Sequence, residues 1–130
     1  MMSTTTITPP TTFTTCPTSP RIDEEVGAFL QETYDPDPKV RKLAVHHLCP
    51  CGVKRNIPAV WERLLAMIGD VDAGVRGQVL HNLCDGSPRT YQAQVLRAIE
   101  SLHDDPDPGL RRRARKFLAQ YRRSGRINVL

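Results

Sequence analysis

Two histidine–cysteine pairs carry the most distinctive chemistry in this sequence. His46 and Cys49 stand three residues apart, and His81 and Cys84 repeat the pair 35 residues later. Residues three apart on a helix share a face. Four such donors on neighbouring helices are the set that a tetrahedral zinc site uses. Geometry argues the other way. Packed helices lie about 8–10 Å apart, whereas zinc takes its ligands at about 2.0–2.3 Å. Equivalent side chains would have to lean toward one another. Duplication also copies a residue pair without any metal. Cys49-Pro50-Cys51 has one intervening residue, not the two of a zinc knuckle or redox pair. The reading is that these are surface or structural residues. His46, Cys49, His81 and Cys84 are kept as zinc candidates, a thiol switch ranks below that, and no cofactor is expected.

The second candidate is electrostatic. From Leu110 to Leu130 there are eight Arg or Lys and no Asp or Glu, although the whole chain carries only +4. The other residues hold ten bases against fourteen acids, a balance of −4. Arg112, Arg115 and Lys116, joined by Arg122 and Arg123, would form a positive strip that attracts phosphates or acidic peptides. The competing reading is a solubilising end cap. Only Phe117 and Tyr121 lie nearby, so base stacking on single strands is disfavoured, while phosphate contact to a duplex is not. No Ser-His-Asp set, glycine-rich phosphate loop or pair of catalytic carboxylates can be read, and a non-enzyme is expected.

Helices must position these residues. Asp35-Pro-Asp-Pro-Lys-Val-Arg41 is followed by Asp70-Val-Asp-Ala-Gly-Val-Arg76 and by Asp105-Pro-Asp-Pro-Gly-Leu-Arg111, at a period of 35. Ala44, Val79 and Ala114 share one downstream position, and Leu48, Leu83 and Leu118 another. A fixed period of this length marks stacked repeats of a helical hairpin. Helices are expected from Ser19-Pro20 to Tyr34, from Asp37 to about Cys49, from Pro58 to Ile68, from Asp72 or Ala73 to Cys84, from Pro88 to His103 and from Asp107 to about Arg123. Pro50 and Gly52 should end the second helix and Gly125 the last. The expected inner positions of the first repeats are Val26, Phe29 and Leu30, then Val40, Leu43, Ala44, Val45 and Leu48. Ile127, Val129 and Leu130 should fold back on the last hairpin.

The three-fold motif, followed by Ala or Val and then Leu on the second helix, resembles the HEAT repeat family, and more narrowly the short HEAT-like repeats of phycobilisome lyase subunits. The resemblance covers about residues 21–123. It implies an all-α, right-handed α-α superhelix (a HEAT-like solenoid) of three antiparallel helix pairs. It also implies a turn ladder in which Asp caps the second helix and Arg pairs with Asp of the neighbouring turn. That assigns Asp35, Asp37, Asp70, Asp72, Asp105 and Asp107, with Arg41, Arg76 and Arg111, to structure. Capping by Asp and multiple donation by Arg agree with this. Repeats of this kind mostly bind proteins through a concave face lined by the second helices.

Three divisions result: a Thr/Pro-rich arm over 1–20, expected to be disordered, a repeat domain over 21–124 (repeats 21–51, 56–86 and 88–123), and a tail over 125–130. The function expected is that of a non-catalytic adaptor. On a 100° helical wheel, Lys42, His46, Cys49, His81, Cys84, Arg112 and Lys116 face outward as contact residues, and Arg115 joins them from the basic strip. Nucleic-acid or polyanion binding by the basic strip is the alternative, and an accessory subunit of a lyase-like enzyme is third. A protein partner is expected, nucleic acid is the second partner class, and no membrane contact is foreseen. No apolar run reaches a membrane span and no signal peptide is legible, so a cytoplasmic monomer with reduced thiols is the expectation.

Overall fold

The computed structural model describes residues 20–53 and 56–127. The expected Ser19 cap, the rest of the Thr/Pro arm, Val129 and Leu130 lie outside the described residues. Those described form an all-helical structure with no strand. The helices are α1 (Pro20–Glu32), α2 (Pro38–His47), the short α3 (Pro50–Val53), α4 (Pro58–Ala66), α5 (Ala73–Leu83), α6 (Gln92–Ser101) and α7 (Pro108–Ser124). Among the described residues, no helix is long and apolar enough to cross a membrane.

The starts of α2, α5 and α7 depend on one local device. Asp35 Oδ1, Asp70 Oδ1 and Asp105 Oδ1 each accept the backbone N–H two residues on, at 2.8, 2.9 and 2.9 Å. That hydrogen bond closes the turn. The next aspartate then caps the helix: Asp37 accepts from Lys39 N–H, Asp72 from Val75 N–H and Asp107 from Leu110 N–H, each at 2.9 Å. Each cap satisfies a donor that the helix leaves unpaired, and is worth about 1 kcal/mol. Pro38 and Pro108 sit in the first turn, where no N–H is missed. At the far end, Gly125 closes α7 at φ 70°, a left-handed conformation, with its N–H on Tyr121 O at 2.7 Å.

Three helix ends differ from the sequence expectation. The helix starting at Pro38 stops at His47, and residues 50–53 form α3 rather than an irregular turn. Leu48 has φ −88° and ψ 5°, so helical phase is lost before Cys49. The helix starting at Pro58 tightens into a 3-10 turn over Met67–Gly69. Before α6, Arg89–Tyr91 form another 3-10 turn, which places the Tyr91 ring against Trp61 at 6.2 Å and 26°.

The helices pack in pairs, α1 with α2, α4 with α5 and α6 with α7. α2 has its most extensive contact with α5, α5 reaches α7, and α4 reaches α6. The core between them is aliphatic around a single tryptophan: Leu48, Leu64, Leu80, Leu83, Ile99 and Leu102 are buried with Trp61. Ile127 is buried too, so the tail does return to the core at that residue. Leu43 is a correction, since it is 57% exposed rather than internal. Its repeat equivalents are Gln78 and Arg113, which marks the position as a polar one outside the core.

Arginine forks join consecutive turns. Arg41 Nε and Nη2 donate to Asp70 at 3.0 and 2.9 Å, while its Nη1 donates to the carbonyls of Asp35 and Pro36. Arg76 donates to Asp105 at 2.8 and 2.9 Å and to the carbonyl of Asp70 at 2.7 Å. Arg111 donates to the carbonyls of Asp105 and Pro106. Burial pushes the Asp70 and Asp105 carboxyls up. The arginine forks, the turn N–H groups and the fields of nearby arginines outweigh it and hold both below the ordinary 3.8. A second clamp lies alongside. Arg63 of α4 donates to Thr33 Oγ1 and O at the end of α1 and covers the Tyr34 ring at 3.6 Å.

Replacing Arg76 should leave Asp105, whose side chain is 5% exposed, as an uncompensated buried charge. Arg76→Ala is expected to lose about 3 kcal/mol in urea unfolding at neutral pH, and Arg111→Ala clearly less. A lowered folded-state carboxyl pKa gives stability that is complete above the unfolded value and lost as pH falls through the folded one. The gap between wild type and Arg76→Ala should therefore be full above about pH 4 and shrink below it, as read by unfolding at stepped pH.

Candidate functional site

The second helices of the three pairs share a groove of about 590 Å³, lined by Lys42 and His46 of α2, Ala73, Gly74, Gly77, Gln78 and His81 of α5, and Asp107, Gly109, Leu110 and Arg113. Its wall is basic on both sides, with one carboxylate at the edge. Its floor is α5, which carries Gly74 in its first turn and Gly77 further along. Each glycine costs about 1 kcal/mol of helix propensity relative to alanine, and the structure gives a reason at Gly77. A Cβ there would stand 3.2 Å from Arg113 Nη1 and 3.5 Å from Leu110 Cδ2. The bare backbone lets α7 approach, and Arg113 Nη2 reaches the Gly77 carbonyl at 3.4 Å.

Of the eight expected contact residues, Lys42, His46 and His81 line this groove. Arg112 and Lys116 are exposed on α7 outside it. The third repeat instead presents Gly109, Leu110 and Arg113. Arg115 is exposed on α7 as well. Its Nε donates to the His103 carbonyl at 3.0 Å and its Nη2 to Asp104 Oδ1 at 3.1 Å, so it ties α7 to the turn before it. Asp104 is held below its ordinary range by hydrogen bonding and charge from His103, with Arg115 adding to both.

The cysteines are the larger correction. Cys49 and Cys84 are 3% and 0% exposed, not surface contacts. The helical wheel fails because Cys49 lies beyond the end of α2 and Cys84 is the cap residue of α5, with φ −97° and ψ 7°. There the chain bends inward and carries both thiols with it. Burial raises the Cys84 thiol to about 12 against a small opposing effect of Arg113. Of the four zinc candidates, Cys49 and His81 are brought together, without His46 or Cys84. His46 sits edge-on to His47 at 5.6 Å.

A different constellation forms instead. The Cys49 thiol donates to Asp85 Oδ2 at 3.2 Å, and His81 Nε2 stands 3.9 Å from that same oxygen. Asp85 carries no signal in a helical pattern, because it lies past the end of α5. Gly86 turns the chain, at φ 94°, and the aspartate before it is thereby left over the end of α5. Arg113 was missed because the wheel for α7 was phased on α2. Asn82 is fully buried, and its Nδ2 donates to the Val45 carbonyl at 2.7 Å. His47 stacks on Phe29 at 4.6 Å, joining α2 to α1.

In comparison with known proteins, no family model matches the chain, and neither curated proteins nor solved structures give a significant match.

Cys84 should be chemically silent while the protein is folded. Raising a thiol from 9.0 to about 12 cuts its thiolate fraction by roughly a thousandfold, and the thiolate is the reactive form. Alkylation at pH 8 followed by peptide mass spectrometry should leave Cys84 unmodified under native conditions and label it fully in denaturant. Rapid native labelling would show that α5 opens at its C-terminal end.

Proposed function

We propose that this chain is a HEAT-like α-α superhelix acting as a non-catalytic adaptor, and that it binds an acidic segment of a partner protein in the groove along α2, α5 and α7. The observation that carries the reading is the composition of that groove. Lys42 and Arg113 both line it, their side chains lying over Gly74 and Gly77, with His46 and His81 alongside. A groove lined by these bases selects a negatively charged segment. Support for the superhelix comes from the 35-residue period together with the succession of contacts α2–α5–α7.

The exposed bases of α7 keep a second reading alive. Arg112, Arg113, Lys116, Arg122 and Arg123 are all exposed on one helix, which suits a duplex backbone contacted through its phosphates. The two readings use different residues. Lys42 belongs to the groove alone, whereas Lys116, Arg122 and Arg123 belong to the strip alone.

Fluorescence titrations with a labelled glutamate-rich peptide and with a labelled random duplex, at several salt concentrations, separate them. On the adaptor reading the peptide binds, and Lys42→Glu with Arg113→Glu weakens it about tenfold or more, equivalent to about 1.4 kcal/mol. Lys116→Glu leaves it unchanged. Tight duplex binding with a steep salt slope, lost in Lys116→Glu with Arg122→Glu and kept in Lys42→Glu, would replace the adaptor reading with the polyanion one.

A further inference from the structure

We propose that Cys49, His81 and Asp85 form a binding site for a single zinc-class divalent cation where the ends of α2 and α5 meet. Their Sγ, imidazole nitrogen and carboxylate oxygen all lie within 4.8 Å of one another. Zinc holds sulfur, nitrogen and oxygen ligands at about 2.0–2.3 Å in a tetrahedron, which puts the ligand atoms about 3.3–3.6 Å apart. The Cys49–Asp85 separation of 3.2 Å and the His81–Asp85 separation of 3.9 Å bracket that spacing. The third pair, Cys49 and His81, lies within 4.8 Å, so side-chain rotation has to draw those two donors together to close on an ion.

The donor set selects the metal. Thiolate, imidazole and carboxylate suit zinc and its cobalt surrogate, whereas calcium and magnesium take oxygen ligands. The objection that stacked helices are too far apart applies only to equivalent positions. Here the site draws on unequal ones. Cys49 lies past the end of α2, His81 lies within the last turn of α5, and Asp85 lies past its end. The C-terminal ends of both helices converge on the site, and their partial negative charge favours a cation. Binding would displace the Cys49 thiol proton to solvent and form the sulfur–metal bond, while His81 binds through its neutral nitrogen. One thiolate and one carboxylate neutralise a divalent ion.

Three protein ligands leave one coordination position. His81 lines the groove and its side chain is 42% exposed, so that position faces the groove, open to water or to a partner's donor atom. Such an open site is of the exchangeable kind rather than a closed structural one.

The test is a titration of the reduced, metal-free full chain with cobalt, followed by zinc. The expected result is one equivalent of cobalt, a sulfur-to-cobalt charge-transfer band, the visible bands of tetrahedral cobalt, and displacement by zinc. Cys49→Ser should abolish the charge-transfer band. Because Cys49 is buried, its loss could disturb folding, so His81→Ala and Asp85→Asn, at partly exposed positions, carry the test independently. Each should weaken binding by about tenfold or more with an unchanged circular dichroism spectrum, while His46→Ala changes nothing. Absence of a charge-transfer band at saturating cobalt would overturn the proposal. So would affinity unchanged in His81→Ala and Asp85→Asn, or a band lost on replacing Cys16 or Cys51 but kept in Cys49→Ser.

Discussion

Arg41 and Arg76 hold the repeats in register, and both the groove and the helix junctions depend on that register. Each guanidinium directs one nitrogen to the carbonyls of its own turn and turns its remaining fork toward the aspartate of the next. The aspartate it reaches is already fixed, because its other duty is to close the neighbouring turn on a backbone N–H. A planar fork meeting a planar carboxylate in two bonds leaves little rotational freedom. The turn geometry of one repeat is thereby transmitted to the next through side chains. Both partners are largely shielded from water, where the pairing is screened least. A buried pair of this kind is weak evidence for net stability by itself, since desolvation opposes it. Its value here is in fixing spacing.

Fixed spacing at the N-terminal ends of α2, α5 and α7 is what allows a groove to form along their lengths. Helices held at their starts diverge or converge according to the residues between them. Gly77 admits α7 closely at one level, through Arg113, while Asn82 joins α5 to the Val45 carbonyl at another. The Val45 carbonyl accepts Leu48 N–H in the tightened last turn of α2 on one lone pair and the Asn82 amide on the other. The early end of α2 and the lateral bond from Asn82 are two aspects of one arrangement.

The residues that were legible in sequence are those whose role is local. An aspartate before a proline-led helix can cap only that helix, so Asp37 and Asp107 announce their function by position. The 35-residue period then extends a local reading to three sites at once. What escaped was decided between repeats or past helix ends. Cys49 and Cys84 were assigned to the surface by extending a helical wheel one or two residues beyond the helix, where the backbone no longer obeys it. Leu43 was assigned to the core by composition, although the polar residues at its equivalent positions already argued against this. Arg113 depends on how far α7 is displaced relative to α5, which no single-helix pattern encodes.

The contrast between the two ends of the second helices bears on whether the Cys49–His81–Asp85 cluster is incidental. The turn ladder recurs because its residues recur, Asp35, Asp70 and Asp105 with Arg41, Arg76 and Arg111. The cluster does not. Moving each of its members forward by one period gives Cys84, Lys116 and Gln120, which cannot assemble the same donors. Cys84 is sealed in the core with its proton firmly held, and lysine offers no lone pair while it is charged. A feature required by stacking alone would be expected at both junctions, as the ladder is. This one appears where α2 meets α5 and not where α5 meets α7, although the helices there are built to the same plan. It holds a carboxylate and a thiol at a partly buried helix junction, a position that an apolar pair would fill more simply. The asymmetry separates these three residues from the scaffold that carries them.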